Sequence, residues 1–161
     1  MSAMEGWHTC GLVARRDRGE AQPWGQILRT PGVDVVHAYN TSRPGWIVIG
    51  TRCHLAGIDE MNDAEEAELG PLIRDVSVAF KRAVQCAKTY VMQFAEAEGH
   101  SHVHFHIVPR AEDLPPENRS AKCFNYLGVD ASEQLSDEAM NEVTATIREH
   151  LVATRAWVGR A

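Results

Sequence analysis

The sequence predicts an α+β domain: an antiparallel sheet of about five strands, one long helix packed on it and a second helix at the C-terminus. Three observations predict it. Histidines alternate strictly with apolar residues over His102-Val103-His104-Phe105-His106-Ile107, the period of a half-buried strand. A long stretch from Asn62 onward repeats apolar residues at spacings of three and four, the period of a helix with one apolar face. The other strand-like segments are joined by short connections, which favour antiparallel neighbours. At 161 residues the chain is most simply one domain, 1–161, with room for a sizeable core.

Residues 1–20 are polar, with Arg15, Arg16 and Arg18 close together, and are expected to form a loosely held arm. Residues 24–30 are a short candidate strand, and Pro31-Gly32 is a turn signal. Residues 33–39 are the second strand, where Val33, Val35 and Val36 supply β propensity, and the two strands form a hairpin. Residues 40–45, Asn-Thr-Ser-Arg-Pro-Gly, are a loop, and Trp46-Ile47-Val48-Ile49-Gly50 is a nearly continuous apolar strand, central or buried on both faces.

Residues 62–86 are the main helix. Asn62-x-x-Glu65 is a capping pattern, and Asp63, Glu65, Glu66 and Glu68 crowd the first turns, where the helix dipole favours negative charge. That acidic run is expected to be a solvated face, and Pro71 is expected to kink or split the helix. Residues 88–94 are the strand before the histidine strand, and residues 95–101 connect the two. Pro109 is expected to end the histidine strand, because it has no N–H for the ladder. Residues 111–118 are a surface loop, and residues 119–128 are a compact stretch suited to covering the core. Ser136 caps a C-terminal helix over 136–153 with Met140, Val143, Ile147 and Leu151 on its apolar face; Trp157-Val158 beyond it is expected to dock on the domain or on a partner subunit.

Composition narrows the function. Apolar residues are 44% and charged residues 24%, as in an ordinary globular protein. A net charge of −6 argues against general nucleic-acid binding, which depends on phosphate neutralisation by Lys and Arg. No apolar run suits a membrane span. Cys10, Cys53, Cys86 and Cys123 are far apart and form no C-x-x-C pair, so reduced thiols and a cytoplasmic location are expected.

In a strand, His102, His104 and His106 share one face. Three readings follow: a polar face of satisfied histidines, a shared metal site, or nucleophilic catalysis by one imidazole assisted by its neighbours. In the catalytic reading a neutral imidazole attacks phosphorus while an acceptor holds the proton on its other nitrogen. His104, with a neighbour on each side, is then the nucleophile. His102 and His106 donate to phosphate oxygens or supply a proton to the leaving group, and no metal is required.

The string His102-x-His104-x-His106 followed by Ile107-Val108-Pro109-Arg110 resembles the signature of the histidine-triad (HIT) superfamily of nucleotide hydrolases and transferases. The resemblance spans residues 33–128. It implies an α+β fold with a five-stranded antiparallel sheet, a homodimer, and a nucleotidyl-histidine intermediate on His104. It also implies hydrolysis of phosphate anhydrides or phosphoramidates of the diadenosine polyphosphate or AMP-conjugate type. His106, where the transferase branches usually carry Gln, favours water as acceptor. The position of Asn40 contacts the ribose in the family; its alternative is an Asx-turn residue. Gln93 falls near a phosphate-contacting Asn or Gln, and Ser101 is the hydroxyl nearest to a phosphate, or simply a loop serine. His100 is expected to be exposed or a loop partner. Trp46 departs from the family, which usually has His there, and the loop after Asn40 and the connection before Ser101 are short. Some members carry zinc on a C-x-x-C pair and a later His. Cys10 and His54 match two of those places, Trp7 stands at the first and His8 could substitute; the expectation is a lone cysteine, a surface histidine and no metal. Two other readings are a non-catalytic nucleotide-binding module and a metal-dependent hydrolase using the same histidines.

Overall fold

The computed structural model describes residues 8–154. Trp7, Trp157 and Val158 lie outside them. One five-stranded antiparallel sheet is built from β1 (Leu28–Arg29), β2 (Val33–His37), β3 (Ile47–Thr51), β4 (Lys88–Met92) and β5 (His104–Arg110), in the order β1-β2-β3-β5-β4. The helices are α1 (His8–Asp17), α2 (Asp63–Ala83) and α3 (Asp137–Thr154). No helix among the described residues is long and apolar enough to cross a membrane.

The sheet's two faces divide the labour. Val33, Val35, Ile47, Ile49, Phe105 and Ile107 face α2 and join Leu72, Val76 and Phe80 in one core, which α3 completes through Val143, Ile147 and Leu151. The other face carries Val36, Val48, Gly50, His104 and His106, all lining a cavity. Strand alternation produces this division, and the register fixes the neighbours: Gly50 opposes His104 and Val48 opposes His106.

α2 starts as its sequence predicts. Asn62 Oδ1 accepts from Ala64 and Glu65 N–H at 3.0 Å each, and Glu65 Oε2 accepts from Asn62 N–H at 2.9 Å. Ser136 Oγ likewise accepts from Ala139 N–H at the start of α3, at 3.2 Å. Five expectations need correction. Residues 8–17 are a helix with Cys10 and Val13 buried, not a loose arm. The first strand shrinks to Leu28–Arg29, because Pro23-Trp24-Gly25 forms a 3-10 turn ahead of it. The acidic run of α2 is not wholly solvated: Glu65 and Glu68 are buried, and Glu68 Oε2 accepts from Thr30 Oγ1 at 2.6 Å. α2 passes through Pro71 unbroken; Gly70 precedes the proline and has no side chain for its ring to strike. Pro109 stays inside β5. Arg110 C=O accepts from Ala87 N–H on the β4 side, so the position of Pro109's missing N–H faces the β3 side, where pairing has already ended at Ile107.

Candidate active site on the open face of the sheet

The cavity over His104 and His106 measures about 670 Å³, a size that suits a small-molecule ligand. Its floor is β2, β3 and β5. α1 supplies Leu12, Val13 and Arg16 to its wall, and the connection between β4 and β5 supplies Phe94 to Ala97 and His100.

His104 is half-buried, and its Nδ1 lies 2.6 Å from His102 C=O. A carbonyl only accepts, so Nδ1 carries the proton and donates, leaving Nε2 with its lone pair. His106 has the opposite tautomer. Trp46 Nε1–H donates to His106 Nδ1 at 3.0 Å, and indole nitrogen is a donor only, so His106 holds its proton on Nε2. The Trp46 ring and the Phe124 ring meet the His106 imidazole edge-on, at 5.9 and 4.9 Å between centroids. Burial in this apolar surround, with repulsion from His104 and His100, pushes the His106 pKa down to about 3. It is therefore an uncharged hydrogen-bond donor at neutral pH. Trp46, the departure from the resemblance, is what sets that state.

His102 does not contribute its ring to the cavity. It is fully buried, and its Nε2–H donates to Thr51 C=O at 2.6 Å. The other nitrogen, Nδ1, faces Cys10 Sγ at 3.5 Å, and His54 Nδ1 lies 3.4 Å from the same sulfur. Burial lowers the His102 pKa, against the hydrogen bond to Thr51, and raises that of Cys10. The expectation of a lone cysteine and a surface histidine is corrected here: the donor atoms of Cys10, His54 and His102 all lie within 4.8 Å of one another. A thiolate and two imidazole nitrogens are a zinc-type donor set, and the Thr51 carbonyl fixes the tautomer that a metal-binding Nδ1 requires. His8 turns elsewhere, against Tyr39 and His100.

Of the binding residues expected from the sequence, Asn40 lines the cavity; Gln93 and Ser101 do not. Gln93 lies just past the end of β4. Ser101 sits at the middle of a three-residue turn closed by His102 N–H to His100 C=O at 2.7 Å. His100, expected to be exposed or a loop partner, lines the cavity with His104 and His106. Its position two residues before His102 was the signal for it. Phe124 was legible only as part of a compact covering stretch.

His37 adds a third buried imidazole: Nδ1–H donates to Ala38 C=O at 2.7 Å and Nε2 accepts from Gly45 N–H at 3.0 Å, which pins the Pro44-Gly45 turn. Burial pushes its pKa down to about 4. His37 and His106 both stay neutral in the folded protein below pH 6.5, where the unfolded chain takes up protons. Their contribution to stability is therefore complete above about pH 6.5 and is lost as pH falls towards 4 and 3. The maximum slope is about 1.4 kcal/mol per pH unit for each histidine. Urea midpoints measured from pH 7 to pH 5 should fall steadily, and less steeply in His106→Asn; a flat profile would contradict the assignment.

No protein-family model matches the sequence, and no curated protein matches it. Solved structures do resemble the chain. A histidine triad nucleotide-binding protein of Sulfolobus tokodaii, described as hypothetical, superposes with a TM-score of 0.65 at 17% identity, covering 89% of this chain and 93% of that one. A zinc-bound histidine triad family protein of Mycobacterium smegmatis gives 0.65 at 13% identity over 94% and 99%. A Hit-like protein of Bartonella henselae involved in cell-cycle regulation, with an unknown ligand, gives 0.64 at 20% identity over 86% and 94%. At these identities the likeness shows the fold: the chain has the α+β histidine-triad fold.

Proposed function

We propose that this chain is a histidine-triad nucleotide hydrolase that cleaves phosphate anhydrides or phosphoramidates of adenosine nucleotides through a covalent intermediate on His104. The observation that carries the reading is the pair of opposed tautomers. His104 Nδ1–H is tied to His102 C=O at 2.6 Å, so Nε2 is a nucleophile. His106, its proton placed on Nε2 by Trp46, is a donor beside it. The shared fold and the Asn40 position on the cavity wall support the nucleotide as ligand.

In the first step the His104 Nε2 lone pair attacks the α-phosphorus as the bond to the leaving group breaks. A polyphosphate departs as its anion, and the nitrogen of a phosphoramidate departs as an amine with a proton taken from solvent. The ring becomes an imidazolium whose positive charge is steadied by the His102 carbonyl, and His106 Nε2–H donates to a phosphoryl oxygen. Water then attacks the phosphorus, the P–N bond returns its electrons to Nε2, and the nucleoside monophosphate and a proton leave. Intact-protein mass spectrometry after a brief mix with diadenosine tetraphosphate and an acid quench tests this. An adenylyl adduct assigned to His104 by fragmentation is expected. Product release without any His104 adduct at the shortest quench times, and unaffected by loss of this imidazole, would overturn the reading.

Zinc belongs to the same proposal, held by Cys10, His54 and His102, whose donors already converge. Bound there it supplies a structural crosslink between α1, the segment after β3 and the segment before β5. His102's ring is part of that site, while His104 and His106 belong to the cavity, so catalysis is assigned to imidazole chemistry. Elemental analysis of the purified protein should find about one zinc per chain, and Cys10→Ser together with His54→Ala should remove it and lower the melting temperature. A metal-free protein of unchanged stability would reject the site.

A homodimer is also proposed. β4 is an edge of the sheet, and Val91 on it and Phe94 just beyond are exposed. Sedimentation should report a dimer, and Val91→Lys should weaken it.

A further inference from the structure

His100 stands in the cavity without a part in the reaction as described so far. The connection from β4 to β5 takes it there. Ala95 and Gly99 adopt left-handed backbone conformations, with φ of 54° and 76°. The former is uncommon for a residue with a side chain, and strain of that kind persists where the surrounding structure holds it. The turn centred on Ser101 then follows, so His100 lines the cavity and Ser101 does not.

The ring is held from α1. His8 N–H donates to Gly99 C=O at 2.9 Å, tying the start of the helix to the connection. Thr9 Oγ1 lies 3.4 Å from His100 Nδ1, and the His8 ring lies 4.9 Å from the His100 ring, centroid to centroid. The Thr9 hydroxyl can either donate to Nδ1 or accept from it; in the donating arrangement the proton of His100 sits on Nε2. The cavity then holds two uncharged imidazole donors, on His100 and His106, around the nucleophile.

A tetrahedral phosphoryl group presents more oxygens than one donor can satisfy. One cation on the cavity wall is already engaged: Arg16 donates through Nε to Gly25 C=O at 2.7 Å and pairs with Asp34 at 3.5 Å. We infer that His100 is a second phosphate-contacting residue, donating a hydrogen bond from Nε2 to a phosphoryl oxygen of the nucleotide held over His104. Thr9 is its positioning residue. This rests on the cavity being the nucleotide site, and it gives His100 the contact that the sequence suggested for Ser101.

The probes are AMP and adenosine, which differ by the phosphate alone, titrated calorimetrically into the full chain. His100→Ala should weaken AMP binding about 10- to 100-fold, the range for a hydrogen bond to a charged group, and leave adenosine unchanged. His100→Gln, which keeps an N–H donor, should recover part of the loss. Thr9→Val should weaken AMP alone, and add nothing in the His100→Ala background. Equal losses for AMP and adenosine would make His100 structural and overturn the inference. So would unchanged AMP binding in His100→Ala, or a wild-type protein that binds AMP no tighter than adenosine. The hydrolase reading fails separately: AMP binding that depends on His100, in a protein that forms neither adduct nor product, sinks the reaction and leaves this contact standing.

Discussion

The His104→Ala protein is expected to hydrolyse an adenosine phosphoanhydride at least about 10⁴-fold more slowly than wild type, the scale of loss when a covalent nucleophile is removed. It should still fold and bind AMP. The ring is only half-buried, and its strand neighbour is Gly50, so the truncation enlarges an open cavity instead of opening a void in the core. Neither of the other two triad imidazoles can take over. His106 is 8% exposed, its Nδ1 is taken by Trp46, and a pKa near 3 marks a weakly basic nitrogen. His102 spends both ring nitrogens in the interior. AMP release followed with chelator present is the measurement. A loss below about tenfold, or 1.4 kcal/mol of barrier, would remove His104 from the nucleophile's place.

The largest stability loss is expected at Asp34. Its carboxylate is buried on β2 against Arg29: Nε lies 2.8 Å from Oδ1 as an ion-pair contact without hydrogen-bond geometry, and Nη2 donates to Oδ2 at 3.4 Å. Arg16 reaches Oδ2 from α1 at 3.5 Å. Burial raises the Asp34 pKa, and the three nearby arginines, Arg16, Arg29 and Arg52, oppose the rise. Replacing two charges by hydrocarbon can be neutral, but deleting Asp34 alone leaves the buried Arg16 guanidinium with only the Gly25 carbonyl and Arg29 with only the exposed Asp17 carboxylate. Asp34→Ala should therefore cost about 3–5 kcal/mol in urea unfolding. Because Arg16 ties α1 to this network, the cavity wall should loosen as well, and AMP affinity should fall with stability. A loss below about 1 kcal/mol would mean that the network is solvated.

The sequence was most informative where a single period dominates. Alternation over 102–107 placed His104 and His106 on one face and Phe105 and Ile107 on the other, and the structure keeps both faces. The capping pattern at Asn62 and Glu65 located the start of α2 to the residue. What escaped was tertiary. α1 carries too little apolar character to announce itself, and its hold on the domain comes from Cys10 meeting His54 and His102, residues far apart in the chain. His102 is in register with the other two histidines, but α1 roofs its side chain. Neither Gln93 nor Ser101 lines the cavity: Gln93 follows Met92, the cross-strand partner of His106 on the cavity face, so alternation aims it the other way, and a three-residue turn re-aims the chain at Ser101. Trp46 could be recognised as unusual from the sequence, but its effect on the tautomer of His106 required two residues 60 positions apart to be brought together by the fold.

His102 serves two masters with different parts of itself. Its ring belongs to the cysteine cluster, while its carbonyl, a part that every amino acid possesses, holds the proton of His104. A lineage that abandoned the cluster could therefore let position 102 drift to another residue that keeps the backbone course, and its catalytic imidazole would still find the same acceptor. Positions 104 and 106 have no such latitude, since what they supply is written in the side chain. The triad is thus a unit only in spelling: one of its letters answers to a different selective pressure from the other two.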